Sequence, residues 1–115
     1  MSKSDARTRY QHMLDNALKV RELARDLNQA DLESDWVRTY ALVRALEIIG
    51  EAADHVSESE QQAHPDVPWA QIVGLRNRLI HGYDAVDLGI LWQIVTKDLP
   101  TLIEKLEAIL SQENK

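Results

Sequence analysis

Cysteine and phenylalanine are absent from this 115-residue chain, and glycine (4) and proline (3) are scarce. Each shortage excludes something. Without cysteine there is no disulfide scaffold, no thiolate zinc site and no cysteine nucleophile, and the composition suits a reducing compartment. So few Gly and Pro cannot punctuate a sandwich or barrel, which needs a turn about every 8 to 12 residues, so helices are the expected elements. No apolar run approaches the roughly 18 residues that span a bilayer. The polar N-terminus, with Lys3, Arg7 and Arg9, does not read as a secretory leader. A soluble cytoplasmic protein with no membrane association is expected, with residues 1–115 forming one domain.

Basic charge is also in short supply: 13 Lys and Arg face 19 Asp and Glu, for a formal charge of −6. That excludes the broad basic face of a general duplex-DNA binder. The imbalance is local. Residues 26–66 hold ten acids against Arg38 and Arg44, whereas residues 1–25 hold six bases against three acids. An acidic middle, taken alone, describes a solvated helix face.

What the chain does have is helical periodicity, which predicts an all-α, antiparallel bundle of four to five helices. The first helix runs from a cap at Ser4 to about Leu27, with Tyr10, Met13, Leu14, Ala17, Ala24 and Leu27 on one face. A second, from Ser34 to about Glu58, carries Leu42, Ala45, Ile49, Ala53 and Val56. The neighbouring stripe of Val37, Ala41, Ile48 and Ala52 widens its apolar arc enough to touch two partners. Glu60 to Val67 reads as loop. Pro68 then serves as the first residue of a third helix that ends near His81, where Gly82 is a natural stop. A fourth helix opens at Asp87, and Pro100 kinks it or restarts it as a fifth.

The third helix contains an anomaly. On a wheel of about 100° per residue, Trp69, Ile72, Val73, Leu79, Ile80 and Tyr83 share a face, and Arg76 falls in its middle. A guanidinium cannot lose its charge, so there it must be paired, bridged by water, or open to a cleft or a second subunit. His81 falls on the opposite, polar side beside Asn77, in a last turn where the helix dipole favours it. A regular helix does not aim the two at one atom. The second helix offers a polar stripe of Tyr40, Arg44, Glu47, Glu51 and His55. It either faces solvent or supplies Arg44, Glu47 or Glu51 to pair with or position Arg76 and His81. The four histidines lack ligand-like spacing, so no metal site is expected, and phosphate-loop and dinucleotide fingerprints are absent, so no cofactor is expected. Metal-free chemistry at phosphate needs only a near-neutral base and a cation, which His81 and Arg76 would supply.

The string Arg76-Asn77-Arg78-Leu79-Ile80-His81-Gly82-Tyr83 resembles the R-x4-H-x-Y signature of the HepT-like branch of the HEPN superfamily. Pro68-Trp69, the run Leu46 to Ala53, and Val86-Asp87-Leu88 with Trp92 are similar to the rest of its pattern. Gly82 stands where many relatives carry an acid, and Asp84 where an aromatic is common. The resemblance implies a helical homodimer with both R-x4-H motifs lining a shared cleft. It also implies a metal-independent endoribonuclease toxin of a type II toxin-antitoxin system, held in check by a MntA-like nucleotidyltransferase. In those terms Arg76 and His81 are catalytic, Asn77 is the polar residue that follows the Arg, and Tyr83 is the hydroxyl that receives AMP. The substrate is RNA, a tRNA or an mRNA. Two other readings stay open: a non-catalytic helical partner that presents substrate to a nucleotidyltransferase, and a plain dimerisation domain.

Overall fold

The computed structural model describes residues 1–82 and 85–113. Ser2, two residues ahead of the expected cap, starts α1 (Lys3–Ala24): its Oγ accepts the Asp5 N–H at 3.0 Å, filling one of the amides that a helix start leaves unpaired. Hydrogen bonding with Ser2 holds the exposed Asp5 carboxyl below the ordinary carboxylate range. One side of α1 buries Ala6, Tyr10, Met13, Leu14, Ala17 and Val20.

The second predicted helix is preceded by a short one, α2 (Asp31–Ser34), whose Leu32 carbonyl accepts the buried Thr39 hydroxyl at 2.7 Å. Asp35, rather than Ser34, caps α3 (Trp36–Asp54) by accepting the Arg38 N–H at 3.1 Å. The wide apolar arc has the two partners it requires, since α3 packs on α1 and also on the segment 69–79. Val37 departs from expectation. It is 60% exposed, with Trp36 and Tyr40, where the first turns of α3 meet solvent.

Half of the predicted loop after α3 is helical. Ser57 accepts the Glu60 N–H at 3.3 Å and starts α4 (Glu58–Ala63), an Ser-x-x-Glu pattern that defines a helix start. Gln61 Nε2 then donates to the Ala53 and Val56 carbonyls, at 3.2 Å each, and closes the end of α3.

The single helix predicted from Pro68 to His81 is instead two short ones, α5 (Trp69–Val73) and α6 (Leu75–Leu79), with Pro68 as the cap residue before the first. Gly74 separates them with φ −84° and ψ 6°, away from helical values. Gly50 lets α3 close on this unit: a Cβ there would lie 3.0 Å from the Ile72 carbonyl oxygen. After Leu79 the backbone extends. Ile80–His81 (β1) pairs antiparallel with Ala85–Val86 (β2), placing Ile80 opposite Val86 and His81 opposite Ala85. Gly82, at φ +79°, takes the left-handed turn that glycine adopts without a Cβ clash. The architecture is therefore helical with one two-residue hairpin, and that hairpin carries His81.

Asp87 caps α7 (Leu88–Gln93), as its position predicts, by accepting the Ile90 N–H at 3.0 Å. A π-helical turn, Ile94–Asp98, follows, in which the Leu99 N–H reaches back five residues to the Ile94 carbonyl. α8 (Leu99–Glu113) then continues with Pro100 in its first turn. There its missing N–H costs no helical hydrogen bond that the π turn has not already rearranged. Leu91, Ile94, Leu99, Ile103 and Leu106 join the same core as α1 and α3.

Candidate active site

Helix α6 is short enough that each side chain has a separate task. Leu75 and Leu79 are buried, while Arg76 and Asn77 face outward. This corrects the wheel, which places Arg76 at the centre of an apolar face. The break at Gly74 shifts the helical phase, so Leu75 turns inward and Arg76 outward; Val73, in α5 before the break, is itself 38% exposed. The guanidinium is 72% exposed, and its Nε lies 3.7 Å from Oε2 of Glu47, a carboxylate only 22% exposed. A pair so open to water stabilises the fold by about 1 kcal/mol or less. Its consequence is orientation rather than stability.

Of the polar stripe on α3, Glu47 is the residue that reaches Arg76. Glu51 instead meets Arg44 at 3.5 Å, with both side chains more than half exposed, and the Glu51 carbonyl accepts a hydrogen bond from Nδ1 of His55 at 2.7 Å. Glu47, Gly50, Glu51, Asp54, Val73 and Arg76 together line a hollow of about 140 Å³.

His81 lies elsewhere. It does not occupy a last helical turn, as expected from the sequence, but the strand beyond one, because Ile80 is already extended (φ −111°, ψ 118°). Its Nε2 stands 3.7 Å from Oδ2 of Asp87, with His81 60% and Asp87 37% exposed. Among the described residues, no hydrogen bond or ion pair joins Arg76 to His81 within one chain. Each is held by its own carboxylate. Asp87 was legible in the sequence only as a helix opener; its second role depends on the hairpin that folds it back beside His81. Tyr83, the expected acceptor of AMP, and Asp84 lie outside the described residues.

A larger hollow, of about 200 Å³, opens on the other side of α6, where Leu46, Ile72 and Leu75 form an apolar floor below Arg78, Lys97 and Lys105. Arg78 meets Asp98 at 3.7 Å and ties α6 to the π turn. Arg76 and Arg78 thus serve different surfaces. Among the described residues there is no group of three or more His, Asp or Glu placed to hold a metal ion, and no helix is long and apolar enough to cross a membrane.

A helical bundle that displays an arginine from a short helix and a histidine from the adjoining hairpin has the parts of a small acid-base site for a phosphate ester. Comparison with known proteins gives the family: residues 13–109 match the one described as ribonuclease HepT-like, and the chain belongs to it. Among its relatives is a candidate RNase of Methanocaldococcus jannaschii, 38% identical over 109 residues, which are 95% of this chain and 100% of that protein. A candidate ribonuclease HepT of Thermococcus cleftensis is 37% identical, covering 78% of this chain and 82% of its own. A candidate RNase of Caldanaerobacter subterraneus subsp. tengcongensis is 36% identical, covering 90% and 92%. No solved structure matches the chain.

Proposed function

We propose that the protein is a metal-independent endoribonuclease that works as a homodimer and is silenced by a nucleotidyltransferase. The observation that carries this reading is the outward presentation of Arg76, held by Glu47 at the edge of a hollow. An exposed guanidinium with a planar fork is a receptor for phosphate.

In this mechanism the ribose 2′-hydroxyl attacks the adjacent phosphorus. His81 of one copy takes the 2′ proton as the new O–P bond forms, and Arg76 stabilises the charge that builds on the phosphoryl oxygens. The bond from phosphorus to the 5′ oxygen breaks, and the leaving oxygen takes a proton from the imidazolium of the second copy. The product ends in a 2′,3′-cyclic phosphate. Asn77, exposed beside Arg76, adds a hydrogen-bond donor for the same phosphate.

The dimer has support in the protomer's surface. Trp36 (62% exposed), Val37 (60%), Tyr40 (66%) and Val73 (38%) are the large apolar side chains left open along α3 and α5, apart from Met1. They run beside Arg44, Glu47 and Arg76. A second copy on this strip would cover apolar area and bring two motifs together, supplying the convergence that one chain lacks. Tyr83 lies two residues beyond His81 in sequence. An AMP group on it would add a phosphate charge close in sequence to His81, and that charge would repel RNA. The partner is then a MntA-like nucleotidyltransferase.

Cleavage of total RNA and tRNA in EDTA by the wild type, Arg76→Ala and His81→Ala tests the activity. Wild-type cleavage that falls by orders of magnitude, to a slow residual rate, in both variants supports the reading, whereas equal cleavage by all three removes these residues from the mechanism. Intact mass after co-expression with the nucleotidyltransferase encoded beside it tests regulation, and a Tyr83→Phe chain that still gains AMP rules that site out. The separation of Arg76 from His81 in one chain favours a second reading, a non-catalytic partner that presents substrate to the transferase. Under that reading expression of the chain alone leaves growth unaffected.

A further inference from the structure

The hairpin that removes His81 from its expected helix also brings it a carboxylate, one that is tied to the backbone of α7. Asp87 is anchored through three of its groups. Its backbone N–H donates to the Leu79 carbonyl at 2.8 Å, joining the end of α6 to the start of α7, and its own carbonyl accepts the Leu91 N–H at 2.9 Å. Its Oδ1 accepts the Ile90 N–H at 3.0 Å as the cap of α7. With Oδ1 accepting the cap amide, the carboxylate is oriented, and Oδ2 is left 3.7 Å from Nε2 of His81. The strand pairing of His81 with Ala85, two residues before Asp87, fixes the other side of this contact.

We propose that Asp87 is the positioning residue for His81 in the reaction described above, on which this inference rests. The cap holds one oxygen so that the other receives the Nε2–H of His81, leaving Nδ1 as the nitrogen that exchanges a proton with the substrate. A gap of 3.7 Å is the open form of this contact; it shortens when the imidazole gains its proton and carries charge, as acid-base contacts do when substrate binds. A carboxylate behind a histidine fixes ring orientation and stabilises the imidazolium that forms in the transition state. Because the histidine is 60% exposed, little else restrains its ring, and the effect of losing Asp87 falls on the chemical step rather than on binding. Among the described residues, Asp87 is the charged group in ion-pair range of His81; Arg78, from α6, is engaged with Asp98.

The two functions of Asp87 are separable by substitution. Asp87→Asn and Asp87→Ser both keep an oxygen for the Ile90 amide, since Asn and Ser are good caps, but neither offers His81 a charge. Asp87→Ala removes both. The expected result is that Asn and Ser variants unfold at the wild-type temperature while kcat for RNA cleavage falls about tenfold or more with KM unchanged. In a His81→Ala background, adding Asp87→Asn leaves the residual rate unchanged, because a residue that acts through His81 has nothing left to act on. Wild-type kcat in the Asn and Ser variants overturns the proposal, as does a further loss from Asp87→Asn when His81 is already gone. Wild-type protein that cuts no RNA would instead overturn the ribonuclease reading.

Discussion

Glu47 on α3 and Arg76 on α6 meet at 3.7 Å, the acid largely shielded and the base largely open to water. The asymmetry matters. A shielded carboxylate is the more restrained member, so Glu47 sets where the exposed guanidinium rests, at the place where the proposed mechanism has it meet a phosphate.

Arg76→Ala should therefore leave stability within about 0.5 kcal/mol of wild type, as surface substitutions do, while lowering RNA cleavage by orders of magnitude. Glu47→Gln should keep the side chain's shape and remove the charge, lowering kcat several-fold and leaving thermal unfolding nearly unchanged. Paired melting and cleavage measurements check both; a large loss of stability in Arg76→Ala would mean that the guanidinium supports the fold.

In the proposed dimer, charge on the exposed strip of α3 should separate the subunits. Val37→Glu and Tyr40→Glu are each expected to shift the protein from dimer to monomer in light scattering coupled to size exclusion. Neither side chain contributes to the monomer's core, so the helical circular dichroism should persist. RNA cleavage should fall with the dimer population.

At Gly50, a methyl group would press on the Ile72 carbonyl oxygen at 3.0 Å and lie 3.7 Å from that of Val73. Backbone at such a contact cannot rotate away, so Gly50→Ala should cost about 1–3 kcal/mol, as overpacking does. Because the displaced segment leads into Arg76, cleavage should suffer beyond what the unfolded fraction explains, measured at a temperature where the variant is folded.

Gly82→Ala poses a different test. Among the described residues, chain neighbours apart, no atom lies within 4 Å of the position a Cβ would take, yet φ is +79°. The expected cost is about 1–2 kcal/mol of backbone strain, spent locally in the turn that carries His81. Denaturant unfolding should show that modest loss, and the cleavage rate a larger one.

Much of the bundle was legible from periodicity, because a stripe such as Leu42, Ala45, Ile49 and Ala53 has one way to be buried. The start at Asp87 was equally plain, an acidic cap before an apolar run. What failed was phase. A wheel treats 68–81 as one rigid helix, and Gly74 breaks it, which turned Arg76 from an apparent core charge into a surface one. The same short range hid Asp87 from His81: they are six apart in sequence, and only the hairpin closed by Gly82 brings them together. The family resemblance points to Arg76 and His81 as candidates without needing their geometry, whereas Glu47 as the partner of Arg76 was one of three candidates on its stripe, and only the packing of α3 against α6 singles it out.

The π turn at Ile94–Asp98 inserts one extra residue into what would otherwise be a single helix running from α7 into α8. The wider turn takes up that residue and keeps the faces of α7 and α8 in phase; were the same residues wound as regular α-helix, Leu99, Ile103 and Leu106 would turn by about 100° relative to α7 and Pro100 would fall where a regular helix needs an amide. The segment is thus a length gauge. Point substitutions there should be absorbed, but one further inserted residue, with no second wide turn to take it up, would turn the core face of α8 toward water.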